Sequence, residues 1–157
     1  MSGFRRGVRI GVDVGKARVG VARSDPDGML ATPLETVPRD DRAVARVREL
    51  AEEYDAFEVL VGLPLNLSGN DTPSTADARA FAAELAEAVS TPVRLVDERL
   101  STVSAHAALR QSGRSQRDSR SIVDQVAAVV LLQHALDVEK STGRPPGNPT
   151  PPAQEPA

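Results

Sequence analysis

Alternating apolar and small or polar residues near the start of the chain predict a β-hairpin. Two apolar runs, Val8–Val14 and Val19–Ser24, flank the turn sequence GKAR, a pattern typical of two antiparallel strands. Because side chains alternate across a strand, Asp13 is expected on the face opposite to Val12. The hairpin therefore carries a carboxylate within a strand that is otherwise apolar.

After the hairpin, the apolar pattern predicts strands that alternate with helices, which is typical of a mixed α/β fold. The predicted elements, in chain order, are a short strand at Met29–Thr32 or Glu35–Val37, a helix capped by Asp40 or Asp41 and ending near Tyr54, a strand at Phe57–Gly62, a helix from about Thr75 to Val89, a strand at Val93–Asp97, a helix from Ser101 or Thr102 to about Leu109, and a final helix from Ile122. The polar, basic segment Gln111–Ser121 is expected to be a mobile connection.

Composition fits one folded domain and an appended tail. The 157 residues are enough for a single core, which we assign to residues 1–140. Residues 141–157 are rich in proline and are predicted to be a disordered tail. With no cysteine in the chain, a disulfide framework and a thiolate metal site are both excluded.

Charge and hydropathy narrow the expected location and partners. The sequence shows neither a signal peptide nor an apolar run of membrane-spanning length, so we expect a cytoplasmic protein without membrane contact. The formal net charge of −3 gives no overall attraction to nucleic acid, and such binding would depend on a local basic patch.

Acidic residues stand at three places where burial would disfavour them. Asp13 interrupts the first strand, Asp97 and Glu98 end the strand VRLVDER, and Asp124 precedes an apolar stripe in the last helix. An ionised carboxylate in such places is costly unless it is paired or bound to a metal. If the three elements are adjacent, the carboxylates could converge on Mg²⁺, which prefers oxygen ligands.

Simpler interpretations of the same residues stay open at this point. Asp13 could be a turn residue, Asp124 could favour the first turn of its helix, and Asp97 or Glu98 could pair with Arg99. Other kinds of catalysis find no support, because the chain has two histidines, no cysteine, no GxSxG motif and no Walker-type phosphate loop.

Four segments of the chain resemble, in order, the motifs of the YqgF/RuvX family, which includes pre-16S rRNA nucleases and Holliday-junction-resolvase-like proteins. They are GVDVGKARVGVARSD, LVGLPLNLSGNDT, VDERLSTVSA and IVDQVAAVVLLQHALD, and together they cover nearly everything from Val8 to Leu136. The resemblance implies a ribonuclease H-like fold: a mixed five-stranded sheet whose first three strands are antiparallel, with helices on both faces.

The resemblance also implies a catalytic and metal-binding set, namely Asp13, Glu98 and Asp124. Glu98 is favoured over Asp97 because related resolvases carry a glutamate after that strand. Strand alternation sends the two side chains to opposite faces, so only one of them should point at the site, but alternation by itself does not choose between them. By the same resemblance, the residues expected to contact or support the substrate are Lys16, Arg18, Asn66, Arg99, Arg114 and Arg117. The family often has lysines before the last helix, where this chain has arginines.

The function predicted from these motifs is that of a divalent-metal-dependent nuclease. Mg²⁺ or Mn²⁺ is the expected cofactor, and the 5′ end of precursor 16S rRNA is the expected substrate. One alternative is a resolvase of branched DNA, which would require a two-fold dimer to cut symmetrically. Another is a non-catalytic nucleic-acid-binding or transcription factor. The chain is expected to be a monomer or a homodimer.

Overall fold

The structure, a computed structural model, describes residues 4–66, 68–97 and 116–150, with the side chains of the last helix described from Gln125 onward. The elements are β1 (Arg9–Val14), β2 (Arg18–Ser24), β3 (Ala31–Pro38), α1 (Ala43–Glu53), β4 (Glu58–Leu63), α2 (Pro73–Ala88), β5 (Val93–Asp97), α3 (Gln116–Thr142) and β6 (Asn148–Pro149). The strands form one sheet in the order β3-β2-β1-β4-β5-β6. The predicted α/β fold is confirmed, but the sheet has six strands rather than five.

The first three strands are antiparallel, as predicted. β1 pairs with β2 in a register that places Asp13 opposite Gly20, and β2 pairs with β3 across a bulge at Val21 and Ala22. The two alternatives for a third strand are joined in one, β3, which continues through Pro33. A proline is tolerated there because β3 is an edge strand and one side of its backbone needs no sheet partner.

Helices cover both faces of the sheet. β1, β4 and β5 are parallel, and one face of the sheet, with Ile10 and Val12, packs against α1 and α2. The other face, here called the α3 face, packs Leu60 and Val96 against Leu131 and neighbouring residues of α3. Within residues 4–66, 68–97 and 116–150, no helix combines the length and the apolar composition that crossing a bilayer requires.

The starts of α1 and α2 differ from the prediction. The N-cap of α1 is Arg42, without a side-chain cap, because the Asp40 carboxylate accepts a hydrogen bond from the Arg42 amide at 2.9 Å, before the helix begins. α2 starts two residues earlier than predicted, since Thr72 and Thr75 form a reciprocal capping box and Pro73 occupies its first turn.

The last helix is longer than predicted. α3 includes Gln116–Ser121, which the sequence pattern assigned to a mobile connection, so that prediction is wrong for these residues. The segment has no apolar periodicity, yet it contains neither glycine nor proline, and a polar sequence can continue a helix whose later turns are anchored by packing. The remainder of the predicted connection, 111–115, and the predicted helix at 101–109 lie outside the described residues.

The segment after α3, which the sequence analysis assigned to the proline-rich tail, pairs with the edge of the sheet as far as Pro149. We call residues 143–150 the C-terminal strap. Asn148 pairs with Leu95 in antiparallel register, and the Arg94 guanidinium donates to the carbonyls of Pro146 at 2.7 Å and Gly147 at 2.9 Å. Proline content describes local preference, whereas the free edge of β5 supplies backbone partners that composition cannot reveal. Residues 151–157 lie outside the described residues.

Four charged residues form a buried cluster between the N-terminal segment, β4 and α3. Arg5 binds Glu58 with two hydrogen bonds of 3.0 and 2.9 Å, and Glu139 accepts from Arg5 at 2.8 Å and from Arg9 at 2.9 Å. Arg9 and Glu139 are each 1% exposed, and the Arg9 guanidinium also lies 4.6 Å from the centre of the Phe57 ring. The cluster fixes the C-terminal half of α3 against the start of β1.

Close approach of β1 and α3 leads to a prediction for Gly11. A Cβ atom at Gly11 would lie 2.9 Å from the Leu132 Cβ and 3.2 Å from the Ala128 carbonyl oxygen, so Gly11→Ala must push the helix away from the strand. We expect the free energy of unfolding to fall by about 1–3 kcal/mol, measured by urea denaturation. Val14→Ile adds one carbon on the other face of the same strand and is the matched control. Equal stability of Gly11→Ala and wild type would contradict the close packing.

Candidate active site

Asp13 is half-buried on the α3 face of the sheet. Gly11 faces α3 directly, and Asp13 follows it by two residues, so both project to the same side. Asp13 pairs with Gly20, and Gly20 pairs with Thr36 on β3. Directly paired residues share a face, and therefore Asp13, Gly20 and Thr36 form one row across the sheet.

The path of α3 over the sheet brings its residues 124–128 toward the level of Asp13. Along β1, Arg9 contacts Glu139, and Gly11 lies against Leu132 and Ala128, so helix and strand run in opposite directions. Two strand residues advance about 6.8 Å and four helical residues about 6 Å. As the strand passes from Gly11 to Asp13, the helix therefore passes from Leu132 and Ala128 to the positions four residues earlier, 128 and 124.

A hydrogen bond at the neighbouring helix position supports this alignment. The side-chain amide (Nε2) of Gln125 donates a hydrogen bond to the Thr36 hydroxyl at 2.7 Å. Thr36 belongs to the same row of the sheet as Asp13. The backbone of residue 124 is part of α3, whereas its side chain lies outside the described residues. Gln125 of α3 thus contacts the row of the sheet to which Asp13 belongs.

The end of β5 bears on the choice between Asp97 and Glu98. Val96 packs on the α3 face, whereas Val93 and Leu95 pack on the opposite face. Alternation therefore directs Asp97, which is exposed, away from the face of Asp13. Glu98 lies outside the described residues, as do Arg99, Arg114 and the side chain of Arg117.

The loop between β4 and α2 lies at the edge of the sheet where the parallel strands end. The side-chain oxygen of Asn66 accepts hydrogen bonds from the amides of Ser68 at 3.0 Å and Asn70 at 2.9 Å. Asn66 was predicted to contact phosphate, and its described contacts organise its own loop. The start of α2 is joined to the same edge because the Thr72 hydroxyl donates to the Pro64 carbonyl at 3.4 Å.

The turn between β1 and β2 carries the two predicted basic residues. Lys16 is exposed and Arg18 is half-buried. A hydrogen bond from Arg39 holds the pKa of the Asp77 carboxyl on α2 below its usual range, and the charges of Arg39 and Lys16 act in the same direction. The turn therefore lies beside α2, close to the end of the strand that carries Asp13.

Arg39 is a residue that the sequence analysis did not single out. Its guanidinium makes two hydrogen bonds to the Asp77 carboxylate, of 2.8 and 2.7 Å, and a third, of 2.9 Å, to the Gly15 carbonyl. Its only sequence signal was a basic residue directly after a predicted strand, which is too common to indicate a contact across 38 positions.

The described side chains alone do not complete a metal site. In the part of the chain whose side chains are described, no group of three or more Asp, Glu, His or Cys residues is arranged to hold a metal ion. Of the predicted ligands, Asp13 belongs to that part, while Glu98 and the side chain of Asp124 do not. What Asp13 offers is chemically suitable, since carboxylate oxygen is the donor that Mg²⁺ and Mn²⁺ prefer.

Comparison with known proteins identifies relatives over most of the chain. The relative from Clavibacter michiganensis subsp. michiganensis, named "Putative pre-16S rRNA nuclease", is 60% identical over 147 residues, covering 92% of this chain and 91% of the relative. A protein of the same name from Streptomyces coelicolor is 54% identical over 147 residues, covering 92% of this chain and 88% of the relative.

Among solved structures, the fold is similar to that of Thermus thermophilus RuvC in complex with Holliday junction substrate. The TM-score is 0.57 at 20% sequence identity, with 91% of this chain and 99% of that chain covered, and this likeness supports the ribonuclease H-like fold. The family model RuvX, described as Holliday junction resolvase, matches residues 7–138. With that match and relatives at 52–60% identity, the chain belongs to the RuvX family.

Proposed function

We propose that this protein is a divalent-metal-dependent nuclease in which Asp13, Glu98 and Asp124 hold the metal. The observation that carries the proposal is the position of Asp13 on the α3 face, in one row with Gly20 and Thr36, where the Thr36 hydroxyl accepts a hydrogen bond from the side chain of Gln125 on α3. A carboxylate at this place supplies the oxygen donors that Mg²⁺ and Mn²⁺ prefer. The alternation along β5 supports Glu98, rather than Asp97, as the third ligand.

The chain would contribute position and charge to the reaction. When bound, Mg²⁺ or Mn²⁺ stabilises charge on the attacking and leaving oxygens of a phosphodiester and favours ionisation of the attacking water. Asp13 supplies carboxylate oxygens from a strand whose other side is locked into the core. Lys16 and Arg18 place positive charge beside the same strand end, where they would attract the phosphates of a nucleic acid.

The proposed substrate is the 5′ end of precursor 16S rRNA. Support comes from the names of relatives at 52–60% identity, whereas the likeness to RuvC concerns the fold. The description of the matching family keeps branched DNA as the alternative substrate. A cytoplasmic location and a monomeric or homodimeric state remain predictions.

A cleavage assay with three substrates tests the proposal. Purified protein is incubated with precursor 16S rRNA, unrelated single-stranded RNA and four-way junction DNA, each with Mg²⁺, Mn²⁺ or a chelator. We expect the precursor to be shortened at its 5′ end only when metal is present. Preferred cleavage of junction DNA, together with dimers formed on it, would favour the resolvase. If calorimetry shows no Mn²⁺ binding and no substrate is cut, the proposal is wrong and the alternative of a non-catalytic binding factor is favoured.

A further inference from the structure

Arg39 joins three elements that surround the end of β1. Its backbone amide donates to the Ala17 carbonyl at 3.0 Å, and its guanidinium donates to the Gly15 carbonyl at 2.9 Å. The same guanidinium binds both carboxylate oxygens of Asp77. One residue at the end of β3 therefore ties the turn after Asp13 to α2.

The guanidinium is held in place from more than one side. It lies 5.2 Å from the centre of the Phe81 ring, which is 1% exposed, so the cation rests on a fixed part of the core. The planar guanidinium binds the Asp77 carboxylate with two hydrogen bonds. Two bonds fix the relative orientation of the two groups, which a single hydrogen bond would not. Mutual stabilisation of the charges holds the pKa of Asp77 low and that of Arg39 high.

α2 is in turn attached to the strand that follows β1 in the sheet. The hydroxyls of Thr72 and Thr75 both donate to the Pro64 carbonyl, directly after β4. The connection Gly15–Arg39–Asp77–α2–Pro64 therefore links the end of β1 to the end of β4. These two neighbouring strand ends lie at the end of the sheet that carries Asp13.

We propose that Arg39 is a positioning residue of the active site, which sets the β1–β2 turn, and with it Asp13 and Lys16, relative to α2. The inference rests on the proposed nuclease function. The Arg39 guanidinium binds Asp77 and Gly15, and Arg39 therefore acts through the turn. Because small displacements of reacting groups reduce rates strongly, loss of Arg39 should weaken catalysis more than it weakens the fold.

The test compares Arg39→Gln with Arg46→Gln. Arg46 also binds a carboxylate with two bonds, of 2.8 and 2.7 Å to Glu35, but that pair joins α1 to β3 and does not contact the turn. For Arg39→Gln we expect kcat to fall about 10-fold and the Mn²⁺ concentration for half-maximal rate to rise severalfold, with the urea midpoint matching that of Arg46→Gln. Arg39→Lys keeps the positive charge but cannot make the two-bond contact with the Asp77 carboxylate. Its cleavage rate should lie between those of Arg39→Gln and wild type.

A measurement independent of cleavage accompanies the kinetics. The Gly15 amide donates to the Arg18 carbonyl at 2.9 Å, and its hydrogen exchange reports whether the turn is held. Exchange should be faster in Arg39→Gln and in Asp77→Asn, with little further effect in the double variant, and unchanged in Arg46→Gln.

The outcomes separate this inference from the function on which it rests. If wild type cleaves with metal but Arg39→Gln matches Arg46→Gln in rate, Mn²⁺ dependence and Gly15 exchange, the positioning role is overturned and the nuclease proposal stands. If wild type cleaves none of the substrates, the nuclease proposal fails and the positioning role for catalysis fails with it, although Gly15 exchange still decides whether Arg39 holds the turn.

Discussion

Asp13→Asn is expected to reduce metal-dependent cleavage by at least about 100-fold, because loss of one anionic ligand removes several kcal/mol of stabilisation from the charged transition state. The change keeps the size of the side chain and removes only its charge. Asp13 is half-buried near the end of β1, so the fold should be retained. Cleavage rates with Mg²⁺ and Mn²⁺ give the effect, and circular dichroism verifies the fold.

The control for this prediction is Asp137→Asn, the same chemical change at an exposed position of α3. It should leave the rate unchanged. Calorimetric titration with Mn²⁺ adds a second readout, in which Asp13→Asn should bind more weakly than wild type while Asp137→Asn binds equally. Equal cleavage by Asp13→Asn and wild type would exclude Asp13 as a metal ligand.

Glu139→Gln is expected to lower the free energy of unfolding by about 3–5 kcal/mol, since it removes one partner from a buried charge cluster. Glu139 accepts hydrogen bonds from the backbone and side chain of Arg5 and from Arg9 at 2.9 Å. With Glu139 neutral, Arg9 keeps a buried positive charge without its carboxylate. Urea denaturation followed by circular dichroism measures the loss.

The matched control for Glu139→Gln is Asp27→Asn, which breaks an exposed pair. Arg6 and Asp27 are 2.8 Å apart, with side chains 74% and 62% exposed, and such pairs contribute about 0–1 kcal/mol. A loss for Glu139→Gln no greater than that for Asp27→Asn would show that the buried cluster does not stabilise the fold.

The same cluster predicts how stability depends on pH. Burial opposes ionisation of Glu139, but hydrogen bonds from Arg5 and the charges of Arg9 and Arg5 outweigh it and hold the pKa of the carboxyl below its ordinary value of 4.5. The stabilisation is therefore fully present above that ordinary value and is lost as the pH falls through the lower, folded-state pKa. The stability difference between wild type and Glu139→Gln, measured from neutral pH downward, should narrow in that acid range.

Sequence predicted those parts of the fold that depend on local pattern. The hairpin around Asp13 follows from alternation and a turn sequence, and the apolar stripes of α1 and α2 follow from helical spacing. Gln116–Ser121 was assigned wrongly because a polar helical segment has no stripe to detect. The pairing of the C-terminal strap with β5 could not be predicted, because it depends on the edge of a strand about fifty residues away along the chain.

Among the residues around the candidate site, too, the sequence indicated only those that a local pattern marks. Asp13 could be found because a carboxylate within an apolar strand is a local anomaly. Arg39 and Glu139 could not, since Arg39 meets Asp77 across 38 positions and Arg9 meets Glu139 across 130. No local pattern links such partners, and only the path of the chain brings them together.

The prolines of the C-terminal strap have a consequence for self-association. An uncovered strand edge recruits further strands from other molecules, and proline blocks such growth because it has no N–H to donate. β6 lies along β5 and ends in Pro149, while β3 at the opposite edge carries Pro33 and Pro38. A chain shortened before residue 143 would expose the edge of β5, and we expect such a chain to self-associate more readily at high concentration.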